Sequence, residues 1–167
     1  MKTVFLDIDT QLDFLVPAGA LYVPGAEKII PRIAELNRQA SLLVSTVDAH
    51  AENDAEFRLY PPHCVAGTLG QHKAASTLVG QFLLEKQTLD CFSNPALDVK
   101  LREWNADRYV VYGVVTEICV RFAAFGLLKY GKPVSIVANA VKALDDAAAE
   151  KMFVEFRRLG GEVSAGY

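Results

Sequence analysis

Three residues with complementary chemistry stand where apolar runs of the sequence stop. Asp9 follows Thr3–Ile8, Lys86 follows Gln81–Leu84, and Cys119 closes the segment Gly113-Val114-Val115-Thr116-Glu117-Ile118-Cys119 that leads out of Tyr109–Val115. A cysteine at the first turn of a helix lies where the partial positive charge of the helix end favours a thiolate. The free backbone N–H groups there can hold an oxyanion. A lysine beside it would stabilise the thiolate, and an aspartate could carry its proton. Taken singly each has a blander reading: a buried cysteine that only packs, a solvated lysine, a turn aspartate.

A second group, Asp48-x-His50, Glu56 and His63, combines carboxylates with imidazoles, the ligand set of zinc, manganese or iron. Asp48 and His50, two apart on an extended segment, point to one side. Pro61-Pro62 stiffens the backbone before His63. The alternative is a set of polar loop residues. His72 lacks such neighbours and reads as a surface residue.

These residues need elements to position them. Thr3–Ile8, Ser41–Val47, Gln81–Leu84, Tyr109–Val115 and Pro133–Ala138 read as buried strands, and Glu162–Ser164 as a short sixth. Between them lie helical patterns. One starts near Lys28 and carries Ile29, Ile30, Ile33 and Leu36 on one face, with Pro31 in its first turn. Others cover Pro95–Trp104 and Cys119–Tyr130, the latter apolar almost all round and stopped by Gly131. The last has Asp145 or Asp146 as N-cap, carries Met152, Phe153, Phe156 and Leu159 on one face, and is stopped by Gly160. Residues 13–25 and 48–78 are irregular. The alternation predicts an α/β fold: a Rossmann-like three-layer sandwich, with about six parallel strands and helices on both faces. Such sheets bind ligands beyond the carboxyl ends of their strands, which is where Asp9, Asp48, Lys86 and Cys119 fall.

Composition narrows the function classes. The 167 residues, 51% of them hydrophobic, suffice for one domain spanning 1–167 with a sizeable core. The net charge of −3 lacks the basic excess of a nucleic-acid or acidic-membrane binder. Three cysteines, Cys64, Cys91 and Cys119, are too few and scattered for a disulfide scaffold. No apolar run reaches the length of a membrane span or a secretory signal, so a cytoplasmic protein with reduced thiols is expected. No glycine-rich phosphate loop follows the first strand, which argues against a nucleotide binder.

The ordered set Asp9-x-Gln11-x-Asp13-Phe14, Gly19–Gly25, Asp48-x-His50, Pro61-Pro62-His63-Cys64-Val65-x-Gly67-Thr68, Lys86 and Gly113-Val114-Val115-Thr116-x-x-Cys119-Val120 resembles the isochorismatase-like cysteine hydrolases, and within them the nicotinamidases. The resemblance covers essentially the whole chain. It implies a catalytic triad of Asp9, Lys86 and Cys119. It also implies a cis peptide between Val114 and Val115, and an oxyanion hole formed by the Val115 and Cys119 N–H groups. It implies a divalent metal, zinc first with manganese or iron as alternatives, on Asp48, His50 and His63. Glu56 then stands where some nicotinamidases have a second histidine. Phe14, Tyr60 and Phe92 are the implied substrate walls. The implied reaction converts nicotinamide to nicotinic acid and ammonia through a cysteine thioester. The competing readings are hydrolysis of another small amide or ureido compound, and a silent binding module on the same fold. The expected partner is a small-molecule amide, with no nucleic acid and no membrane. Relatives are often oligomeric, so a homo-oligomer is compatible with the resemblance.

Overall fold

The computed structural model describes residues 1–167. Six strands form one parallel sheet: β1 (Thr3–Ile8), β2 (Leu42–Asp48), β3 (Phe82–Lys86), β4 (Arg108–Val114), β5 (Val134–Lys142) and β6 (Glu162–Ser164). Their order is β3-β2-β1-β4-β5-β6. The order reverses between β1 and β4, and open sheets of this kind leave a crevice at that switch point. The helices are α1 (Leu12–Leu15), α2 (Ile30–Gln39), α3 (Ala96–Trp104), α4 (Arg121–Leu128) and α5 (Asp146–Arg158).

Strand alternation sorts side chains between two layers. Asp7 and Tyr112, paired in the β1–β4 register, both reach Asn37 of α2, at 2.8 and 2.6 Å. Tyr109, of the opposite parity, packs on Tyr130 just beyond α4 with ring centroids 5.9 Å apart. Asp98 of α3 bonds the Tyr130 hydroxyl, and Phe156 of α5 stacks on Phe125 of α4 at 5.5 Å. Thus α2 covers one face and α3, α4 and α5 cover the other. The central strands are buried on both sides, which is why β1 and β4 read as near-continuous apolar runs.

The element boundaries depart from the sequence reading at three informative places. Lys86 is the last residue of β3, and Asp48 the last of β2, rather than following them. β5 continues to Lys142, past a register shift against β4 between Val111 and Gly113. The helix expected over Cys119–Tyr130 is α-helical only from Arg121, while Thr116–Val120 forms a single π-helical turn. Asp145 is the N-cap of α5, its carboxylate accepting from the Ala147 and Ala148 N–H groups at 2.9 and 3.0 Å.

Candidate active site and metal centre

Register builds the first half of the site. Thr46 pairs with Leu84 and Asp48 with Lys86, so period-two alternation sends Thr46, Asp48 and Lys86 to one face. Asp9, one residue past β1, would face the other way in a continued strand. It adopts a left-handed conformation instead, with φ of 51°. In this conformation its carboxylate meets Thr46, whose hydroxyl donates to Oδ1 at 2.6 Å. The Asp9 N–H in turn donates to Thr46, through the carbonyl at 3.1 Å and the hydroxyl at 3.2 Å.

Lys86 Nζ lies 2.8 Å from Asp9 Oδ2, donates to Asp48 Oδ1, and stands 3.8 Å from Cys119 Sγ. All four groups are buried. Burial alone would strip the charge from Lys86, but Asp9, Cys119 and Asp48 outweigh it and hold the ammonium charged well above the usual lysine range. Burial raises the Asp9 carboxyl against the pull of Lys86, with Asp48 adding to the rise. Burial also raises the Cys119 thiol, opposed by Lys86 and reinforced by Asp9. Asp9 Oδ2, although in ion-pair contact, receives no directed hydrogen bond. Apart from the Lys86 ammonium, this oxygen has no polar partner.

The second half of the site comes from the end of β4. Gly113 has φ of +116°, and a Cβ there would fall 2.1 Å from the Ile8 carbonyl oxygen. Glycine is therefore required where β4 closes on β1. The Val114–Val115 peptide is cis. The Val115 carbonyl accepts from both the Ile118 and Val120 N–H groups at 3.1 Å, which sets the π turn that carries Cys119. Cys64 and Cys91 are also buried, and burial pushes the Cys91 thiol up to about 12. Neither has a lysine ammonium in hydrogen-bond reach, as Cys119 does.

The metal-ligating candidates converge next to Asp48. Ligand atoms of Asp48, His50 and His63 all lie within 4.8 Å of one another. His50 Nε2 is 3.7 Å from Asp48 Oδ2 and 4.0 Å from Glu56 Oε1, and His63 Nε2 is 3.6 Å from Glu56 Oε1. Each imidazole is held at its other nitrogen. His50 Nδ1 is 2.9 Å from Asp54 Oδ2, and His63 Nδ1 donates to the Pro61 carbonyl at 2.7 Å. These contacts orient both rings so that Nε2 points into the cluster. His50 Nε2 is buried without a hydrogen-bond partner. Burial disfavours a charged His50, yet the bonds and charges of Asp48, Asp54 and Glu56 raise it to about 9. The surroundings thus call for positive charge at this point. Two imidazoles, one or two carboxylates and an orphaned ring nitrogen fit a divalent cation.

Phe14, Tyr60, His63, Val115, Ile118 and Leu144 enclose a small pocket over Cys119, together with Asp48 and Glu56. The rings of Phe14 and Tyr60 stand 5.4 and 6.4 Å from that of His63. Phe92, expected as a third wall, lies elsewhere. It packs on Tyr130 and over Gly126, where an added Cβ would come within 2.2 Å of its ring, and so lines a separate groove beside α4. The 3-10 turn Cys91–Ser93 directs it there. His72 is exposed, as read.

The structure gives roles to residues to which the sequence reading assigned none. Gln11 is fully buried and clamps Asp48 from both sides: its amide donates to the Asp48 carbonyl at 2.8 Å and accepts from the Asp48 N–H at 2.7 Å. Asp13 accepts from the Ala20 and Cys64 N–H groups at 2.9 and 2.7 Å, fixing the chain beside His63. Gly19 and Gly70 leave the room this requires, since a Cβ at either would clash with Asp13. Phe57 packs on both imidazoles, at 5.3 Å from His50 and 5.6 Å from His63. The motif Asp9-x-Gln11-x-Asp13 was the available signal for Gln11 and Asp13; nothing local marked Asp54 or Phe57.

A buried thiol, a lysine and a carboxylate meet at the switch point of a parallel sheet, an arrangement that can serve cysteine-dependent hydrolysis. The chain belongs to the isochorismatase family, whose isochorismatase domain model matches residues 3–166. It is 28% identical over 172 residues to a nicotinamidase of Acinetobacter baylyi, covering 83% of this chain and 80% of that protein. Its fold matches the pyrazinamidase of Pyrococcus horikoshii, solved in complex with zinc, with a TM-score of 0.91, 30% identity and full coverage of both chains. PnC1 of L. infantum, solved in complex with nicotinate, matches with a TM-score of 0.91 and 28% identity, over 98% of this chain and 92% of that one.

Proposed function

We propose that the protein is a nicotinamidase, hydrolysing nicotinamide to nicotinic acid and ammonia. The observation that carries this reading is the abutment of two clusters on one carboxylate: Asp48 holds Lys86 through Oδ1 and faces His50 through Oδ2. A substrate spanning that junction needs a metal-binding atom at one end and a hydrolysable group at the other, and a pyridine carboxamide has both. Asp48, His50 and His63 would hold the ion, with Glu56 as fourth ligand or as acceptor of a water on it. When bound, a divalent metal supplies a Lewis-acid anchor for the ring nitrogen. Zinc suits the donor set best, and manganese or iron share its ligands.

The chain's own residues carry the steps. Asp9 takes the Cys119 proton through Oδ2, and the Lys86 ammonium holds the thiolate as it forms. The thiolate attacks the carboxamide carbon, and the Val115 and Cys119 N–H groups face the oxyanion; one such donor is typically worth about 10²–10³ in rate. The C–N bond then breaks, and Asp9 returns its proton to the departing nitrogen, releasing ammonia. Water next loses a proton to Asp9 and attacks the thioester. The C–S bond breaks, nicotinic acid leaves, and Asp9 reprotonates Cys119. Phe14 and Tyr60 flank the ring.

Ammonia release from nicotinamide, with metal content determined on the same sample, tests the reading. Activity that is lost to a chelator and restored by zinc, manganese or iron is expected. A metal-loaded protein that leaves nicotinamide intact would transfer the machinery to another small amide or ureido substrate.

A further inference from the structure

The pocket over Cys119 has a volume of about 20 Å³, room for about one water molecule. A ring carboxamide is several times larger, so the residues at the rim decide what size of molecule fits over Cys119. Phe14 and Val115 are buried in the core and Val115 is part of the strand-end backbone. Leu144 is different: it lines the same pocket, yet 44% of it is exposed. It sits in the short link between β5 and α5, and what holds that link is Glu117. Glu117 Oε1 accepts from the Leu144 N–H at 3.0 Å and from the Asp145 N–H at 2.8 Å. Glu117 belongs to the same π turn as Cys119, two residues before it.

Glu117 Oε2 is buried and has no hydrogen-bond partner. This arrangement satisfies two backbone donors through one carboxylate oxygen and leaves the other without a protein partner.

We propose that Glu117 is a positioning residue that straps the 143–145 link across the mouth of the pocket, and that Leu144, held there, sets the size of molecule that reaches Cys119. For the reaction above, which this inference deepens, Leu144 then selects unsubstituted ring carboxamides over those bearing extra ring substituents.

The test follows alkylation of Cys119 in the metal-loaded full-length protein, site-resolved by mass spectrometry, with small iodoacetamide and bulky N-phenylmaleimide. The Leu144→Ala variant should lower the preference for the small reagent by about tenfold, the scale on which a pocket senses a methylene-sized change. Glu117→Ala should accelerate both reagents at every pH without moving the apparent pKa of the reaction. Glu117→Gln, which keeps the accepting oxygen, should behave as the parent protein. An unchanged reagent preference in Leu144→Ala overturns the proposal, even if Glu117→Ala fails to fold. A Glu117→Ala effect that is wholly a pKa shift also overturns it. The readout needs no turnover, so a size filter in a protein that leaves nicotinamide intact would keep the strap and discard the substrate.

Discussion

Two lysines are buried in this protein, each against aspartate, and they are built differently. Lys73 donates to Asp7 at 2.8 Å and to Thr10. Asp7 is saturated: Oδ1 accepts from Thr10 at 2.7 Å, and Oδ2 also accepts from Asn37 at 2.8 Å and Ser45 at 3.3 Å. The Asn37 side-chain oxygen Oδ1 accepts from the Tyr112 hydroxyl at 2.6 Å. Every charge in that network is matched. Lys86, on the opposite face of the sheet, has two carboxylates and a thiol about it, and Asp9 Oδ2 receives no directed bond. Buried polar groups normally find partners, so an unsatisfied one marks a place where something else must arrive. The closed network braces the turn after β1, and the open one is the group to which the proposed chemistry is assigned.

The contrast can be broken by removing each lysine. Lys86→Met leaves Asp9 and Asp48 facing each other without a cation. Loss of one partner from a buried pair costs about 3–5 kcal/mol, so thermal unfolding should shift down strongly. Turnover of the protein that remains folded should fall by at least about 10²-fold, the scale of a lost acid–base partner. Lys73→Met should lower stability by a similar amount, about 3–5 kcal/mol. Its folded fraction should nonetheless keep ammonia release near the parent rate. If Lys73→Met silences the folded protein as Lys86→Met does, the distinction between the two networks is wrong.

A smaller effect is expected at the metal-ligating cluster. Asp54 touches His50 Nδ1 and points the opposite nitrogen into the cluster. Asp54→Ala should weaken zinc binding by about 10–100-fold, as measured by competition with a chromophoric chelator, while leaving Cys119 alkylation unchanged. Unaltered affinity would mean that His50 is not a ligand. The smallest effect is in pH. Burial raises the Asp9 carboxyl above its ordinary value, and the reaction needs the carboxylate form. Activity should be lost as pH falls through that raised value, so the acid limb of kcat/KM for metal-saturated protein should lie above the usual aspartate value of about 4. A limb at or below that value would remove Asp9 as the base.

What the sequence made legible follows the same division. Asp9, Lys86 and Cys119 were readable because each ends an apolar run, and the alternation of strands and helices carries those ends to one edge of the sheet. Asp48, His50 and His63 were readable from ligand type and local spacing. The closed network was not, because Asp7 and Lys73 are 66 residues apart and meet through a loop without periodicity. Gln11 and Asp48 meet across 37 residues, and Glu117 and Leu144 across 27. Phe92 was misplaced because the residues after Lys86 turn in a 3-10 helix that no hydrophobic pattern announces. The π turn under Cys119 was missed for a related reason: its register differs from that of an α-helix by one residue, which an apolar stretch does not reveal.

The most direct test of the account is ammonia release from nicotinamide by the parent protein and by Cys119→Ala at equal, measured metal content. Hydrolysis by the parent, with turnover by Cys119→Ala reduced at least about 10³-fold and bound metal retained, is the predicted result. Undiminished turnover by Cys119→Ala would contradict the account, because the metal cluster would then hydrolyse the amide without the thiol.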